Sequence, residues 1–418
     1  MKSHSSVLEA NRVHEQSKSP RGVRRTLDGF EEHFWLKEQI VRCGHILAAD
    51  VEGATTLDQW QIAFAALQKA YPVLSVSILK EDGARPLFYS LVSAPQLLSI
   101  QPLSACASLE SRAEEILLLP FRDGEPLVRA YLFFSDSRCC IFLHAHHAAL
   151  DGRSHLLLFH DLIAHLATQT EPATQDFAPS LASLVNRNIE PYQPADEPST
   201  VPQTNMPSES RVLRISNSHL TGEETQELVR RAKHERCSVH SAVLATLAIS
   251  GCELNPDWQA SDIVCVSPFD VRRFFGMQRQ VGQLIALHRV VLRMSDRKSV
   301  WSIARQISST MKADQLRAEL PSFVKLWQSL TRHEMVATGK PFFAHDLMLA
   351  SYGSQTVESQ IGHLTIRSIF TAGHTSGPTA QKFSALTVGG SLGLTHVAIA
   401  PLPGMLELAH TILRTVGS

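Results

Sequence analysis

The sequence has no apolar stretch of membrane-spanning length and no paired cysteine framework. No run approaches the ~18 consecutive apolar residues that a bilayer-crossing helix needs. Residues 1–25 are polar and rich in Ser, Lys and Arg, without the apolar segment of a secretory signal. The seven cysteines are scattered and odd in number, as in proteins of a reducing compartment. These absences predict a cytoplasmic protein.

The chain also lacks a dominant charge and the glycine-rich loops that bind nucleotides. Its formal net charge is −1, so it offers no overall attraction to nucleic acid or to an anionic membrane. Neither a GxGxxG nor a Walker phosphate-binding loop occurs, which leaves dinucleotides and nucleoside triphosphates without support. The sequence does have 44% hydrophobic residues over 418 positions, enough for two core-sized domains.

One break in composition divides the sequence. Residues 186–211 are rich in Pro, Ser, Asn and Glu and almost free of aliphatic side chains, which is typical of a surface linker. We therefore predict a flexible leader over 1–25, an N-terminal half over 26–185, this linker, and a C-terminal half over 212–418.

Both halves alternate predicted strands and helices. Thr56 and Gln59 form a capping-box pattern, which predicts the start of a helix. In the second half, long helical patterns cover 300–316 and a region around 323–331. The last strands are expected to pair with one another before a closing helix at 405–415, and lie at 364–371, 383–388 and 392–399.

The most informative stretch is 140–152, CIFLHAHHAALDG. An apolar run that predicts a strand ends in His146 and His147, and Asp151 with Gly152 forms a turn before a predicted helix. An imidazole can accept a proton near neutral pH, because its unperturbed pKa is about 6.5. An Asp at such a turn can instead hold the loop through hydrogen bonds or an ion pair. Ordinary turn residues are the alternative interpretation. A metal is not expected, because further ligands at suitable spacing are missing.

The complete pattern HHxxxDG resembles the active-site motif of the CoA-dependent acyltransferase superfamily. That group includes nonribosomal peptide condensation domains, chloramphenicol acetyltransferase and polyketide-associated acyltransferases. Three further stretches, in the same order along the chain, are similar to the polyketide-associated branch of the phthiocerol dimycocerosyl transferase type: 57–74 (LDQWQIAFAALQKAYPVL), 267–272 (SPFDVR) and 281–282 (VG). The DFGWG motif of plant acyltransferases is missing, which disfavours that branch.

The resemblance implies a fold and a set of roles. The expected fold is α/β, with two chloramphenicol-acetyltransferase-like halves forming a V-shaped pseudo-dimer around a central active-site tunnel. His147 would be the general base, and the Gly152 backbone N–H would donate to the oxyanion. Asp151 would be structural, bridging to Arg272 of the second half, and His146 would shape the loop.

The resemblance also implies an activity. An acyl group would move to an alcohol from a thioester, carried by CoA or by the phosphopantetheine of an acyl carrier protein, in secondary-metabolite or lipid biosynthesis. The enzyme is expected to be free-standing and monomeric, with no permanently bound cofactor. Two alternatives stay open: amide formation with an amine acceptor, and a non-catalytic protein that docks to a carrier protein. One base serves either nucleophile, so the sequence does not separate ester from amide products.

A glycine pair near the end of the chain offers a weaker pattern. The stretch 388–392, VGGSL, faintly resembles the serine motif of a carrier protein. A carrier serine needs a helical bundle around it, whereas the flanking residues here predict strands. A strand–turn–strand connection is therefore the preferred interpretation.

Overall fold

The computed structural model describes residues 22–80, 84–186, 212–294, 299–336, 344–375 and 377–417. Most of the predicted leader and linker, residues 1–21 and 187–211, lie outside these ranges. The end of the predicted leader belongs to a strand, β1 (Val23–Thr26), which pairs antiparallel with β4 (Leu87–Ser90). Part of the predicted leader is therefore built into the fold.

The N-terminal half alternates strands and helices. Helix α2 begins at the predicted capping box, where Thr56 Oγ1 accepts from Gln59 N at 3.2 Å and the Gln59 side chain accepts from Thr56 N at 2.8 Å. Besides β1 and β4 it contains α1 (Gly29–Ile40), β2 (Gly44–Glu52), α2 (Leu57–Ala70), β3 (Val76–Leu79), β5 (Leu98–Pro102), α3 (Leu109–Leu117), β6 (Val128–Ser135), β7 (Arg138–His146), α4 (Gly152–Thr168) and α5 (Leu181–Val185).

The C-terminal half follows the same alternation and ends in a run of strands. It contains β8 (Arg214–His219), α6 (Gly222–His234), α7 (Val239–Leu254), α8 (Pro256–Ala260), β9 (Ile263–Asp270), α9 (Arg272–Phe275), β10 (Ile285–Leu292), α10 (Val300–Thr310), α11 (Ala313–Ser329), α12 (Arg332–Val336), β11 (Leu347–Val357), β12 (Gln360–Ile361), β13 (Leu364–Gly373), β14 (Gln381–Val388), β15 (Ser391–Ala398) and α13 (Met405–Gly417).

Two six-stranded sheets form the centres of the two halves. The first has the strand order β12-β13-β2-β7-β6-β5, and the second has the order β10-β9-β11-β14-β15-β8. A small third sheet, β1-β4-β3, joins the first half. Strands β2 and β7 are buried along almost their whole length, because they lie at the centre of their sheet with packed side chains on both faces. The predicted α/β class with two halves is confirmed.

One hairpin of the C-terminal half belongs to the N-terminal sheet. Strand β13 runs antiparallel along β2, from Gly373 opposite His45 to Thr365 opposite Glu52. The expectation that β13 pairs with the strands after it is wrong; β14 and β15 pair with each other in the second sheet. The apolar side chains of β13 explain this placement, since Ile366 packs into the N-terminal core rather than into that of the other half.

The predicted helix over 300–316 is in fact two helices. Helix α10 ends at Thr310, whose Oγ1 donates to the carbonyl oxygen of Ile307 at 2.8 Å. Hydroxyl groups of this kind compete with helical hydrogen bonds. Helix α11 then runs through Pro321, so the helix expected around 323–331 is present but is not separate: it begins at Ala313 and ends at Ser329. The buried apolar face of α11 offsets the hydrogen bond that proline cannot donate.

No single helix among the described residues is both long and apolar enough to cross a bilayer. Helices α6 and α7 pass such a test only as a pair, and they are bent by 100° relative to each other. Helix α7 is a core helix, with most of its side chains buried between the second sheet and its neighbouring helices.

Candidate active site

The HHxxxDG motif forms the connection between β7 and α4. Strand β7 lies between β2 and β6, and its last residue, His146, is opposite Gly44 of β2. Asp151 is the N-cap residue of α4, and its Oδ1 accepts a hydrogen bond from Ser154 N at 2.8 Å. The paired histidines therefore lie where a central strand ends and a buried helix is about to begin.

His147 lines a cavity whose walls come from both halves of the chain. The cavity has a volume of about 180 Å³, far more than the about 10–15 Å³ that one water molecule requires. The imidazole is stacked between two rings, that of Phe34 at 4.3 Å and that of His45 at 4.2 Å between centroids. Stacking from both sides fixes the plane of the His147 ring at the cavity wall.

Burial keeps the His147 imidazole neutral. It lowers the pKa of His147 well below the ordinary value, and the positive charge of Lys382 lowers this pKa further. Burial also lowers the pKa of His45, whose Nε2 lies 2.8 Å from the carbonyl oxygen of Leu150. The neutral imidazole is the form that can accept a proton from a nucleophile.

His146 holds the turn that follows β7. Its Nδ1 accepts a hydrogen bond from Ala148 N at 3.0 Å, and its carbonyl oxygen accepts one from Ala149 N at 3.0 Å. Burial lowers the pKa of His146 to about 3. His146 is not among the residues that line the cavity, so its contacts shape the loop while His147 is presented to the interior space.

Asp151 and Arg272 form an ion pair that joins the two halves. Arg272 Nη2 lies 2.8 Å from Asp151 Oδ2, and both side chains are fully buried. Asp151 Oδ2 also accepts a hydrogen bond from Leu284 N at 2.8 Å. The carboxylate therefore caps α4, pairs with the guanidinium and holds the start of β10, and the structure brings together the two residues that the resemblance pairs.

Arg272 fixes the backbone of the segment between α9 and β10. Its Nε donates to the carbonyl oxygen of Gln280 at 2.6 Å, and its Nη2 donates to that of Gly282 at 3.1 Å. Its Nη1 lies 2.8 Å from Asp270 Oδ1. A side chain at Gly282 would meet Ala178 Cβ at 2.4 Å, so this close approach requires glycine. The VG pair noted in the sequence thus packs against the N-terminal half.

Gly152 is the first residue of α4 and lines the cavity. A Cβ atom at this position would lie 2.2 Å from the hydroxyl oxygen of Tyr352, which requires that residue 152 have no side chain. The Tyr352 hydroxyl also forms a hydrogen bond with Thr371 Oγ1, with 2.8 Å between the oxygens. Burial raises the pKa of Tyr352 to about 12, so its hydroxyl keeps its proton.

Several residues of the cavity wall carry no sequence signal of their own. Helix α1 presents Phe30, His33, Phe34 and Lys37, spaced at helical intervals, on its cavity-facing side. Tyr352, Lys382 and the other wall residues of β11, β13 and β14 come from strands far from β7 in the sequence, and β11 and β14 belong to the second sheet. No local pattern marks these residues.

Two further buried histidines lie close to the motif. Neither ring nitrogen of His144 or of His155 has a hydrogen-bond partner among the described residues. The ring of His155 packs edge-on against that of His45, with 4.2 Å between centroids. Within the same described ranges, no three His, Cys, Asp or Glu side chains are arranged to hold a metal ion.

The glycine pair at 389–390 lies in the turn between β14 and β15, as preferred from the sequence. Both glycines have positive φ, 52° for Gly389 and 88° for Gly390. Together with Ser391 and Gly393 they spell a GxSxG pattern that the sequence analysis overlooked. An antiparallel hairpin is not the strand–turn–helix of a nucleophile elbow, so the pattern has no catalytic meaning here.

Comparisons with known proteins bear on the fold. Residues 209–322 match the family described as phthiocerol/phthiodiolone dimycocerosyl transferase C-terminus. The polyketide synthase associated protein 5 from Mycobacterium tuberculosis superposes with a TM-score of 0.70 at 19% identity, over 96% of this chain and 99% of that one. The chain has the acyltransferase and condensation-domain fold. The resemblance to the CoA-dependent acyltransferase superfamily is therefore confirmed.

Other structures of the acyltransferase and condensation-domain fold are also similar to this chain. The epimerization domain from the third module of tyrocidine synthetase B has a TM-score of 0.68 at 14% identity, over 97% of each chain. Trichothecene 15-O-acetyltransferase from Fusarium sporotrichioides has a TM-score of 0.67 at 12% identity, over 94% of this chain and 95% of that one. No curated protein sequence matches the chain significantly.

Proposed function

We propose that this protein transfers an acyl group from a thioester to an alcohol, with His147 as the general base. The observation that carries the proposal is the position of His147, a neutral imidazole stacked in place at the wall of a cavity formed by both halves. The match to a dimycocerosyl transferase family and the likeness to an O-acetyltransferase support a transferase.

The reaction needs only one proton acceptor from the protein. The His147 imidazole accepts the hydroxyl proton while the acceptor oxygen attacks the thioester carbonyl carbon. A C–O bond forms, the tetrahedral intermediate collapses with cleavage of the C–S bond, and the leaving thiolate takes up the proton. Because thioesters are already activated, the chain needs no covalent acyl-enzyme intermediate.

The start of α4 is placed to stabilise the oxyanion. Gly152 contributes a backbone N–H at the first position of a 17-residue helix, where the helix dipole adds partial positive charge. The same residue lines the cavity that contains His147. Such a preorganised donor stabilises the negative charge that develops on the carbonyl oxygen.

Asp151 and Arg272 act through the backbone in this proposal. Neither side chain touches the reacting atoms: both are fully buried in the ion pair that fixes the start of α4 against the segment before β10. They are therefore positioning residues. His146 has the same kind of role, because its contacts are with the backbone of the turn.

The donor is proposed to be acyl-CoA or an acyl carrier protein, and the acceptor an alcohol of secondary-metabolite or lipid biosynthesis. Amide formation with an amine is the second candidate, because chains from nonribosomal peptide synthetases have the same fold. The product mass separates an ester from an amide. Transfer to amines alone would overturn the ester proposal and leave the condensation activity.

The test is acyl transfer followed by intact mass, with acyl-CoA and acyl-carrier-protein donors and a panel of alcohols and amines. His147→Ala should lower turnover by about a hundredfold or more, the usual scale of a lost general base. His234→Ala is the matched control, since His234 is exposed at the end of α6. Equal turnover by His147→Ala and wild type would refute the base assignment. Binding of a carrier protein without any transfer would favour the docking alternative.

A further inference from the structure

Two lysines line the same cavity as His147. Lys37 lies in the last turn of α1, and Lys382 is the second residue of β14. Both side chains are half-buried. A Cβ atom at Gly373 would lie 3.0 Å from Lys382 Nζ and 2.9 Å from Cβ of His45, the residue whose ring stacks on His147. The Lys382 ammonium group is therefore next to the reaction centre.

Neither lysine has a negatively charged partner among the described residues. Asp270 is the one carboxylate in the cavity wall as described, and it lies 2.8 Å from Arg272 Nη1 and 3.2 Å from Arg153 Nη1. The hydrogen bond from Lys382 Nζ goes to the carbonyl oxygen of His374, at 3.4 Å. The guanidinium groups already balance the charge of Asp270, so the two ammonium groups leave this part of the cavity positive.

The titratable groups around the lysines do not supply a counter-charge. Burial lowers the pKa of His33 to about 3 and that of His374 to about 3, so both imidazoles are neutral. Burial raises the pKa of the Cys43 thiol to about 12, which keeps it protonated. A half-buried cation without a partner is costly. An anion that enters the cavity removes this cost and gains charge-assisted hydrogen bonds.

The position of the lysines decides which anion fits. In an acyl-CoA or acyl-phosphopantetheine donor, the pantetheine arm separates the phosphates from the thioester. When the thioester carbonyl is beside His147, those phosphates are therefore far from Lys382. A negative charge close to the reacting atoms must come from the acceptor, or from a second charged group on a short acyl chain. An acceptor with a free carboxylate satisfies both lysines and keeps its hydroxyl near the base.

We propose that Lys37 and Lys382 bind the carboxylate of the acyl acceptor, so that the acceptor is a free hydroxy acid, or an amino acid if the product is an amide. This inference rests on the proposed function, because it takes His147 as the base. It makes the two lysines specificity-determining residues. The apolar side chains of the wall, including those of Phe30, Trp327 and Met348, receive the rest of the acceptor.

The test compares an acid with its ester. The probes are 3-hydroxyoctanoate and its methyl ester, titrated calorimetrically into the full chain without an acyl donor. Wild type should bind the acid about tenfold or more tightly than the ester, as expected for hydrogen bonds to a charged group. Because both probes are measured on the wild-type protein, the result does not depend on whether a variant folds. Equal affinities for the two probes would overturn the assignment.

Substitutions then identify the residues that cause the tighter binding of the acid. Lys37→Met and Lys382→Met keep most of the length of the side chain and remove its charge. Each substitution should reduce the preference for the acid over the ester, and the two together should abolish it. Lys69→Met is the matched control, because Lys69 is exposed at the end of α2 and outside the cavity. If the acid is still preferred after both substitutions, the carboxylate binds elsewhere and the assignment is wrong.

Transfer assays separate this inference from the proposed function. With an acyl donor present, Lys382→Met should slow transfer to the acid far more than transfer to the methyl ester. An equal loss with both acceptors would place the lysine at the oxyanion instead and overturn the carboxylate assignment. Acid-selective binding without transfer to any acceptor would refute the enzyme while the anion site remains. Transfer without acid selectivity would refute the anion site alone.

Discussion

The contacts of Asp151 set most of the geometry of the site. Its carboxylate caps α4, accepts from the backbone of Leu284 and pairs with Arg272, all away from solvent. Such a pair contributes little net stability when formed, because both ions lose their hydration. Removing Asp151 is different, since the buried Arg272 would then keep only Asp270, a carboxylate that it shares with Arg153.

Asp151→Ala should therefore lower the free energy of unfolding by about 3–5 kcal/mol, because Arg272 would stay charged and buried. Urea unfolding followed by circular dichroism measures this loss. Asp58→Ala is the control, since Asp58 is an exposed carboxylate in the first turn of α2 and should cost about 1 kcal/mol or less. The double variant Asp151→Leu/Arg272→Met should recover much of the loss. An inactive Asp151→Ala protein of normal stability would place Asp151 in the chemistry instead.

Gly152 is the second residue whose substitution has a clear structural outcome. Gly152→Ala places a methyl group against the hydroxyl of Tyr352 and should cost about 1–3 kcal/mol of stability, the usual range for overpacking. A double-mutant cycle with Tyr352→Ala tests the contact. The combined loss should be smaller than the sum of the two single losses, because the clash disappears with the tyrosine ring. Strict additivity would show that the two residues are not in contact.

The motif drew attention to four residues and the stretch 267–272 to a fifth, Arg272, whereas the other residues of the cavity wall had no sequence signal. His146, His147, Asp151 and Gly152 follow each other in the chain, so a local pattern can reveal them. Lys382 reaches the same cavity only because β14 lies in the second sheet beside β11. A lysine near the start of a predicted strand is otherwise an ordinary polar residue.

Helix α1 is the element that closes the cavity on one side. Its N-cap Asp28 accepts from Phe30 N and Glu31 N, each at 3.0 Å, which sets where the helix begins. Residues at intervals of three and four then face the cavity. Phe34 is the member of this row that stacks on His147, with 9° between the ring planes.

Phe34→Ala should lower kcat by about tenfold or more, because His147, the proposed base, loses one of the two rings that hold its plane. KM should change less, since the positively charged and apolar parts of the wall remain. Gln39→Ala, an exposed position on the same helix, is the control for helix stability. Steady-state kinetics of acyl transfer measures both parameters. An unchanged kcat would show that His45 alone is sufficient to orient the imidazole.

Helices with a capping motif at their first residue were the most predictable elements. Helix α2 begins where its capping box places it, because cap and first turn are close in sequence. The break between α10 and α11 was missed, because the apolar pattern continues across it. The break is marked only by a hydroxyl group, that of Thr310, which donates a hydrogen bond to a backbone carbonyl oxygen. The pairing of β13 was also missed, because the alternation of a strand shows which side is apolar but not which sheet receives it.

Among the described residues, burial lowers the pKa of nine histidines, of which His147, His240 and His374 are half-buried and the others buried. Burial lowers the pKa to about 3 in His33, His146, His155 and His374, to about 4 in His240 and His396, and well below the ordinary value in His45, His144 and His147. Burial raises the pKa of two carboxyl groups, Glu31 and Glu38, which acts in the opposite direction on stability but involves fewer groups.

The protein should therefore lose stability steeply as the pH falls below about 6.5. Below that value the unfolded chain protonates these histidines while the folded chain does not, and each one costs about 1.4 kcal/mol per pH unit. The summed cost of these histidines reaches the ~5–15 kcal/mol net stability of a typical protein within about two pH units. Urea midpoints measured between neutral and weakly acidic pH should fall sharply. Constant midpoints over this range would contradict the prediction.

One substitution isolates a single histidine of this group. His155→Phe replaces a buried ring whose nitrogens have no partner among the described residues. It should reduce the proton uptake on unfolding by about one in the acid range. His363→Phe, at an exposed turn position, should leave the pH dependence unchanged. If the free energy of unfolding has the same slope against pH in wild type, His155→Phe and His363→Phe, then His155 has an ordinary pKa in the folded state.

The hairpin of β12 and β13, which belongs to the N-terminal sheet, constrains the order in which the two halves can fold. Strand β2 is synthesised long before β13, the strand that pairs with it. While the ribosome is still translating the second half, the edge of β2 lacks its neighbour and can pair with a β-strand of another nascent chain. The loop that carries His147 is anchored next to that edge, so the cavity around it cannot form before β13 has been made.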